Sequence, residues 1–200
     1  MWNKIKKIYV WSQQVRPAYL YKYEYNFIGK TISQIANDWW QGTSWWTNTS
    51  DGIYRNSWNN PLYISLSWLG TALSNAKKVT MNVGAYVTKW TWARDLTCRV
   101  WDQWQTNLYF WLYFWWGSWD NIAIPWNSFT YTYNWATVFT LVYDLVNKTL
   151  NITSTDWTSK SPSSFSLTDS YIASIVNWSQ ILIKQNGTYD KMQSVYLKIE

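Results

Sequence analysis

The chain has no histidine and a single cysteine, Cys98, among its 200 residues. Without histidine, Ser-His-Asp and Cys-His catalysis and every imidazole metal site are excluded. A single cysteine also excludes an internal disulfide and a cysteine-cluster zinc site. Cys98 falls on the inward side of an alternating stretch and has no base nearby in the sequence, so we expect a buried structural thiol.

Charge and long apolar runs are also scarce. Charged residues make up 14 % of the chain and its net charge is +6, with one dense basic cluster at Lys4, Lys6 and Lys7 and a pair at Lys77-Lys78. The longest apolar run, Leu108 to Trp116, is about half the length of a membrane helix. The N-terminal residues lack the apolar segment of a secretory signal. These features favour one soluble domain that neither inserts into membranes nor binds nucleic acid.

Glycine is rare, with seven residues, whereas tryptophan is abundant, with twenty. Proteins usually contain about 7 % glycine, so roughly fourteen are expected. Many tryptophans occupy turn sites where Asn-Gly or Asp-Gly is typical, because the second residue needs a positive φ. These sites are Asp38-Trp39, Ser57-Trp58-Asn59-Asn60-Pro61, Ser118-Trp119-Asp120, Pro125-Trp126-Asn127, Asn134-Trp135, Asp156-Trp157 and Asn177-Trp178. The expected dipeptides occur at Asp51-Gly52 and Asn186-Gly187.

We interpret most of these tryptophans as glycines of the natural protein, encoded by UGA in a genetic code that assigns this codon to glycine. A bulky side chain at such turns meets a steric penalty that glycine escapes. The alternative is a tryptophan-rich aromatic binding surface. Mass spectrometry of the protein from its source distinguishes the two interpretations.

Alternation with period 2 dominates the pattern and predicts β-strands. Inward positions such as Val79, Met81 and Val83 alternate with polar ones. Asn134-Trp135 predicts a hairpin if residue 135 is glycine, and the segment Asp144 to Lys148 predicts a turn. The predicted strands are Tyr19 to Phe27, Lys77 to Val87, Asp95 to Val100, Leu108 to Phe114, Phe129 to Tyr133, Thr137 to Tyr143, Thr149 to Thr153, Gln180 to Lys184 and Ser194 to Ile199.

Helix is expected only in one or two short segments. Thr31 and Gln34 have the spacing of a capping box, which predicts a helix over Thr31 to Asn37, and a second is expected at Leu69 to Asn75. Many short strands with turns between them predict an all-β antiparallel sandwich or barrel. We place one boundary near Pro17, with a basic leader or docking strand over residues 1–17 and the sandwich over 18–200. Ser159 to Ser166 is expected to be a loop.

The run Phe129 to Thr155 resembles the back half of a concanavalin A-like jelly-roll sandwich, the fold of legume-type lectins and laminin-G-like modules. The matching features are a strand ending Leu141-Val142-Tyr143-Asp144, a turn with Asn147-Lys148-Thr149, a strand Leu150-Asn151-Ile152-Thr153, and the closing strand Val195 to Ile199. The leader Lys7 to Pro17 resembles leaders of modular phage structural proteins, with glycine in place of Trp11. These resemblances imply a virion or fibre protein carrying a lectin-like module.

Catalysis by paired carboxylates finds little support in the sequence. Glycosidases need one protonated acid and one ionised partner across the scissile bond. The chain has two glutamates, Glu24 and Glu200, and no strand with two alternating acids. Asp95 with Asp102 or Asp120 is the best remaining pair. Four further aspartates, Asp51, Asp144, Asp156 and Asp190, occur in sequence contexts typical of turns.

Calcium stays open as a ligand, because laminin-G-like modules hold it with aspartate side chains and loop carbonyls. Asp120-Asn121 and Asn186 to Asp190 are the candidates, and turn formation explains them equally well. We expect no other metal or cofactor.

A glycan-binding surface is predicted on the polar faces of the central strands. If those strands adjoin, Tyr86, Arg99, Tyr109 and Tyr113 form an aromatic and cationic patch, in which tyrosine offers a ring face and a hydroxyl and arginine a forked donor. Ordinary cross-strand packing of surface tyrosines is the alternative explanation.

The sequence therefore predicts a non-catalytic structural module of a virion or cell surface that binds surface glycan and contacts other virion or surface proteins. A carbohydrate-binding module of a bacterial surface protein is the first alternative, and a glycoside hydrolase or lyase of the same fold is the second. A purely architectural protein would instead assemble into homo-oligomers such as trimers or arrays.

Overall fold

A computed structural model describes residues 21–86, 95–101, 108–115, 119–124, 127–130, 136–155, 164–174 and 180–200. These residues form strands and a few helices of three to six residues. The strands are β1 (Tyr21–Asn26), β2 (Thr47–Thr49), β3 (Gly52–Ser65), β4 (Lys78–Tyr86), β5 (Asp95–Trp101), β6 (Leu108–Trp115), β7 (Trp119–Ile124), β8 (Asn127–Thr130), β9 (Ala136–Asp144), β10 (Thr149–Ser154), β11 (Ser164–Ser166) and β12 (Gln180–Ile199). The α-helices are α1 (Ile32–Asn37), α2 (Leu69–Ser74) and α3 (Asp169–Ser174), and a 3₁₀ helix spans Thr43–Trp45.

The long strand β12 organises the architecture. Its first part, from Gln180, lies between β3 and β5, and its last part, up to Ile199, lies between β1 and β4. Twenty extended residues would run about 65 Å, whereas a 200-residue domain has a radius of gyration of about 16 Å. The strand therefore has to bend, and its pairing registers shift between Ile183 and Gln185, between Gly187 and Met192, and between Met192 and Ser194.

The bend divides the strands into two antiparallel sets that share β12. One set runs β2-β3-β12-β5-β6-β7-β8, and the other runs β1-β12-β4-β9-β10-β11. This is the all-β antiparallel jelly-roll sandwich predicted from the sequence. Among the described residues there are three short α-helices rather than one or two, because α3 was not predicted.

The core consists of the alternate residues of these strands. Along β4, the predicted inward positions Val79, Met81, Val83 and Ala85 are fully buried, and Cys98 of β5 is buried with them. Each fully buried aliphatic side chain contributes about 1.5–3 kcal/mol through removal of apolar surface from water. Further core residues come from both sets of strands: Leu62, Ile64, Phe139, Leu141, Leu150, Ile152, Ile181, Ile183, Val195, Leu197 and Ile199.

Strand β1 is half-buried, as its alternation predicts. Tyr21, Tyr23 and Tyr25 are partly buried against the core, while the residues between them are exposed. The ring of Tyr21 stacks on Trp68, with centroids 5.4 Å apart. The ring of Tyr25 lies 5.5 Å from that of Trp40. Aromatic side chains thus seal the edge of the sandwich beside β1.

The two predicted helices are confirmed. Thr31 is the N-cap of α1, where its Oγ1 accepts a hydrogen bond from the Gln34 amide at 3.2 Å, and its own amide donates to Gln34 Oε1 at 2.8 Å. This is the reciprocal arrangement that the capping-box spacing predicts. The second helix, α2, spans Leu69–Ser74 and buries Leu69, Ala72 and Leu73.

The turn between β9 and β10 is also confirmed. Asp144 Oδ1 accepts a hydrogen bond from the Asn147 amide at 2.9 Å, and Asn147 Nδ2 donates to Asp144 Oδ2 at 2.9 Å. Lys148 adopts a φ of 54°, as the last turn residue before β10. The strands on either side pair from Thr149 opposite Asp144 onwards. An aspartate that begins a turn and bonds to backbone two or three residues later is a local signal that sequence can carry.

Two local predictions are wrong. Asn186-Gly187 is no turn: Gln180 to Lys184 and Ser194 to Ile199 belong to one strand, β12, which passes through these residues. The predicted loop Ser159 to Ser166 ends in strand β11, which pairs with β10. In both cases pairing with a distant strand overrides a local signal. The hairpin predicted around Asn134-Trp135 stays a prediction, because residues 131–135 lie outside the described ranges.

Several predictions concern residues outside the described ranges. They include the leader over residues 1–17 and the tryptophans at positions 126, 135, 157 and 178. No helix of the described residues is long and apolar enough to cross a membrane.

Candidate functional site

A cross-strand row on the outer side of the sandwich is the candidate site. At the point where β12 passes between β3 and β4, Met192 pairs with Ile53 on one side and with Ala85 on the other. These three residues are fully buried. Because successive side chains of a strand point to opposite faces, the residue next to each of these three in the chain points outwards. Those residues are Tyr54, Lys191 and Tyr86, all of them half-buried.

We name these three residues the Tyr54–Lys191–Tyr86 row. Lys191 is directly opposite Tyr86 in the β4–β12 ladder. Its Nζ lies 4.5 Å from the centroid of the Tyr54 ring, which is within the range of a cation–π interaction. The row therefore places the Lys191 ammonium over the Tyr54 ring and the Lys191 backbone opposite Tyr86, on three adjacent strands.

Electrostatics at Lys191 reflect its position. Burial lowers the pKa of the Lys191 ammonium from 10.5, and the carboxylates of Asp190 and Asp51 partly oppose this shift. An ammonium with fewer surrounding waters makes stronger hydrogen bonds to any acceptor that approaches it. Tyrosine adds an apolar ring face and a hydroxyl. Chemically, the row is suited to a ring that has one apolar face and several hydroxyl or carboxylate oxygens.

A buried polar cluster lies on the opposite side of the same strands. Arg55, Gln185 and Asp190 are all nearly inaccessible to solvent. The Arg55 amide donates to Gln185 Oε1 at 3.2 Å, and Gln185 Nε2 donates to the backbone carbonyl of Asp190. Gln185 thus links the backbone of β3 to the part of β12 that lies within the register shift between Gly187 and Met192. The cluster fixes the backbone of residues 54 and 191, from which the outer row projects.

The guanidinium of Arg55 lies under an exposed indole. Its Cζ is 5.6 Å from the centroid of the Trp45 ring, and burial lowers the pKa of Arg55. The Trp45 side chain is 64 % exposed. Trp45 therefore covers the outer end of the buried polar cluster.

The four residues predicted as a ligand patch do not lie on one pair of strands. Arg99 of β5 is directly opposite Tyr109 of β6, and Tyr113 lies four residues further along β6, opposite Asp95. Tyr86 belongs to β4, which is separated from β5 by β12. The register brings together Arg99 and Tyr109 but gives Tyr86 different neighbours. A ligand-binding role for these four residues stays a prediction.

Sequence reasoning named Tyr86 and missed both Tyr54 and Lys191. The three residues are more than thirty residues apart from one another along the chain, and the strand register alone makes them neighbours. No local pattern signals such a pairing. The register shift between Gly187 and Met192 in the β3–β12 ladder, which precedes this pairing, begins in the segment where the sequence indicated a turn.

The candidate carboxylates are spread over different strands. Asp95 of β5 is opposite Tyr113 of β6, whereas Asp120 of β7 is opposite Phe114, so the two positions are two strands and one residue apart. Asp102 lies outside the described ranges. Asp190 is buried within β12 and so is not in the turn that its sequence context predicted.

The described residues form no cluster of metal ligands, and their one thiol is buried. Within the residues that the structure describes, no group of three or more Cys, Asp and Glu side chains is arranged to hold a metal ion. Of the calcium candidates, Asp120-Asn121 belongs to β7 and Asn186 to Asp190 belongs to β12. Burial raises the pKa of the Cys98 thiol to about 12, so this residue is protonated at neutral pH and is no nucleophile.

Comparison with known proteins shows similarity in structure only. No family model and no curated protein matches the sequence. Among solved structures, peanut lectin with a nine-residue peptide matches with a TM-score of 0.56 and 13 % identity, over 90 % of this chain and 97 % of the lectin. The chain has the lectin-type β-sandwich fold.

Two further structures share the lectin-type fold. The lectin UEA-II complexed with galactose has a TM-score of 0.54 and 9 % identity, over 90 % of this chain and 98 % of that one. A carbohydrate esterase from the Shiga toxin-encoding bacteriophage phi24B has a TM-score of 0.52 and 9 % identity, over 88 % of this chain and 99 % of that one. Identities this low relate the folds and leave the function to be argued from the site.

Proposed function

We propose that this chain is a non-catalytic, glycan-binding module of a virion or a cell surface. The observation that carries the proposal is the Tyr54–Lys191–Tyr86 row on a lectin-type sandwich. The Lys191 nitrogen is 4.5 Å from the centroid of the half-buried Tyr54 ring, and the half-buried Tyr86 pairs with Lys191 from the neighbouring strand. A pyranose ring presents an apolar C–H face to an aromatic ring and its oxygens to donors, which are the two features the row supplies.

The printed descriptions of similar structures support a carbohydrate ligand. One of the lectins was solved with galactose, and the phage protein of this fold is a carbohydrate esterase. That protein comes from a bacteriophage, and the resemblance of the leader Lys7 to Pro17 to leaders of phage structural proteins implies a phage source for this chain. A phage origin in turn favours a genetic code in which UGA specifies glycine, the interpretation given above for the tryptophans at turns.

Glycan-array binding by the purified chain tests the proposal. We expect binding to at least one class of glycan, with a loss of about tenfold or more in Tyr54→Ala and Tyr86→Ala. Tyr196→Ala is the matched control. Tyr196 lies on β12, is half-buried like the row tyrosines, and has Lys22 Nζ at 5.2 Å from its ring centroid. Binding that is absent, or that is unaffected in both row variants, contradicts the proposal.

Arg99→Ala and Tyr109→Ala distinguish the row from the patch predicted by sequence. If these two variants lose binding while the row variants keep it, the ligand lies on β5 and β6. The glycans that bind should then be incubated with the chain and analysed for released sugar or acetate. Product release would support the alternative of a hydrolase, lyase or esterase of this fold over a binding module.

Neighbouring genes separate the two non-catalytic candidates. Genes for capsid, tail or fibre proteins beside this one support a virion module. Genes for exported surface proteins support a carbohydrate-binding module of a bacterial surface protein.

A further inference from the structure

Two adjacent tryptophans after helix α1 have opposite environments. Trp39 is 82 % exposed, whereas Trp40 is 2 % exposed. The pair follows Asp38, the residue that ends the helix. The backbone geometry at these positions shows which residue type each one requires.

The helix ends in a Schellman motif. The Trp39 amide donates to the Ala36 carbonyl at 3.1 Å, and the Trp40 amide donates to the Ile35 carbonyl at 3.3 Å. These two bonds define the motif, whose first residue beyond the cap adopts the left-handed conformation and is usually glycine. Trp39 occupies that position with a φ of 74°. An L-residue with a Cβ is strained in this conformation, and a residue with a bulky side chain such as tryptophan is among the least suited to it.

The surrounding contacts hold this geometry in place. Asp38 Oδ2 accepts hydrogen bonds from Tyr25 Oη at 2.7 Å and from Lys30 Nζ at 2.8 Å. These bonds, with Lys30 the larger contributor, lower the pKa of Asp38, so the carboxylate stays ionised and bound at neutral pH. The chain cannot relieve the strain at residue 39 without breaking this cap.

Trp40 fits its site as a tryptophan. Its ring lies 5.1 Å from that of Phe27 and 5.5 Å from that of Tyr25. Trp40 and Ile35 occupy the two positions whose hydrophobic side chains accompany a Schellman motif, and both are buried in one core cluster. Glycine at position 40 would leave a cavity the size of an indole.

We infer that residue 39 is glycine in the natural protein and that residue 40 is tryptophan. The two codons would then differ, with UGA at position 39 and the ordinary tryptophan codon at position 40. The inference is independent of glycan binding, and it removes the exposed indole of Trp39 from any ligand surface.

The same inference does not extend to the second tandem pair, Trp45-Trp46. Trp45 is 64 % exposed and Trp46 is 5 % exposed, which repeats the difference in burial. Among the described non-glycine residues, however, a positive φ occurs at Trp39 and Lys148. The backbone therefore gives no reason to replace Trp45, and burial by itself assigns neither residue.

Peptide sequencing by mass spectrometry, on protein isolated from its source, tests the inference directly. We expect a peptide spanning α1 to contain glycine at position 39 and tryptophan at position 40. Tryptophan at position 39, or glycine at position 40, overturns it.

Recombinant variants supply a second, independent test by thermal unfolding. Trp39→Gly should raise the unfolding midpoint by about 2–4 °C, and Trp40→Gly should lower it by about 10 °C. Trp39→Ala is the matched control, because it removes the indole and keeps the Cβ that causes the strain. If Trp39→Ala stabilises as much as Trp39→Gly, or if Trp39→Gly lowers the midpoint, the backbone argument is wrong.

Discussion

Two rows of side chains project from the same three strands, one into the core of the sandwich and one to its outer surface. On the inner side, Ile53, Met192 and Ala85 are fully buried and contact the core. On the outer side, the Tyr54–Lys191–Tyr86 row is half-buried and carries polar atoms. One backbone segment thus stabilises the fold with one face and presents a candidate ligand surface with the other. Substitutions on the two faces should have separable effects.

The largest expected effect lies on the inner row. Met192→Ala should lower the free energy of unfolding by about 2–5 kcal/mol, because it removes a fully buried side chain and leaves a cavity. Urea denaturation measures the change. The neighbouring half-buried residue serves as control, and Gln193→Ala should change stability by no more than about 0.5 kcal/mol. Equal losses in the two variants would mean that the faces are not divided as described.

A smaller effect is expected on the outer side, at Gly84 of β4. A Cβ at this position would meet Ser194 Oγ at 2.2 Å, so Gly84→Ala should destabilise the protein by about 1–3 kcal/mol through overpacking. Adding Ser194→Ala removes that oxygen and should restore part of the loss. If the double variant is as unstable as the sum of the two single variants, Ser194 is not the cause.

The smallest effect concerns pH. The pKa of Lys191 is lower in the folded chain than its unfolded value of 10.5, because burial disfavours the charged ammonium. In the interval just below 10.5 the unfolded chain binds more protons, so this residue makes stability rise with pH there. The difference in stability between the wild-type chain and Lys191→Met should follow this slope, as measured by urea denaturation at several pH values.

Buried tyrosines change the free energy of unfolding with pH in the opposite direction, so their contribution has to be distinguished from that of Lys191. Burial raises the pKa values of Tyr23 and Tyr25 above 10.0, so they make stability fall as pH rises above that value. Both are present in the wild-type chain and in the variant, and their contribution cancels in the difference. A difference between the two chains that is flat with pH, or falls towards 10.5, contradicts the assigned shift.

Most strands could be predicted from sequence because each contains its own alternation. Val79, Met81 and Val83 are buried as the pattern requires, and the capping-box spacing of Thr31 and Gln34 gave the helix start. The turn predicted at Asn186-Gly187 was wrong because a turn signal reports only local chain reversal. These residues lie instead in β12, where they pair with β3.

The candidate site was less predictable than the fold. Tyr86 was identified from its outward position on a strand, but its neighbours Tyr54 and Lys191 depend on two ladders between distant segments. Asp190 looked like a turn residue because it follows Asn186-Gly187 closely, yet it is buried beside a register shift. Which polar residues meet across a sheet depends on register, which is set by the whole core and by no short motif.

Strand β12 also constrains when the sandwich can form. Both sets of strands share residues 180–199, so β1 lacks its described partner, and β3, β4 and β5 each lack one of two partners, until this segment has left the ribosome. Pairings that close over such long stretches of chain form slowly. During synthesis the earlier strands therefore keep unpaired edges, and residues 180–199 are needed to join the two incomplete layers.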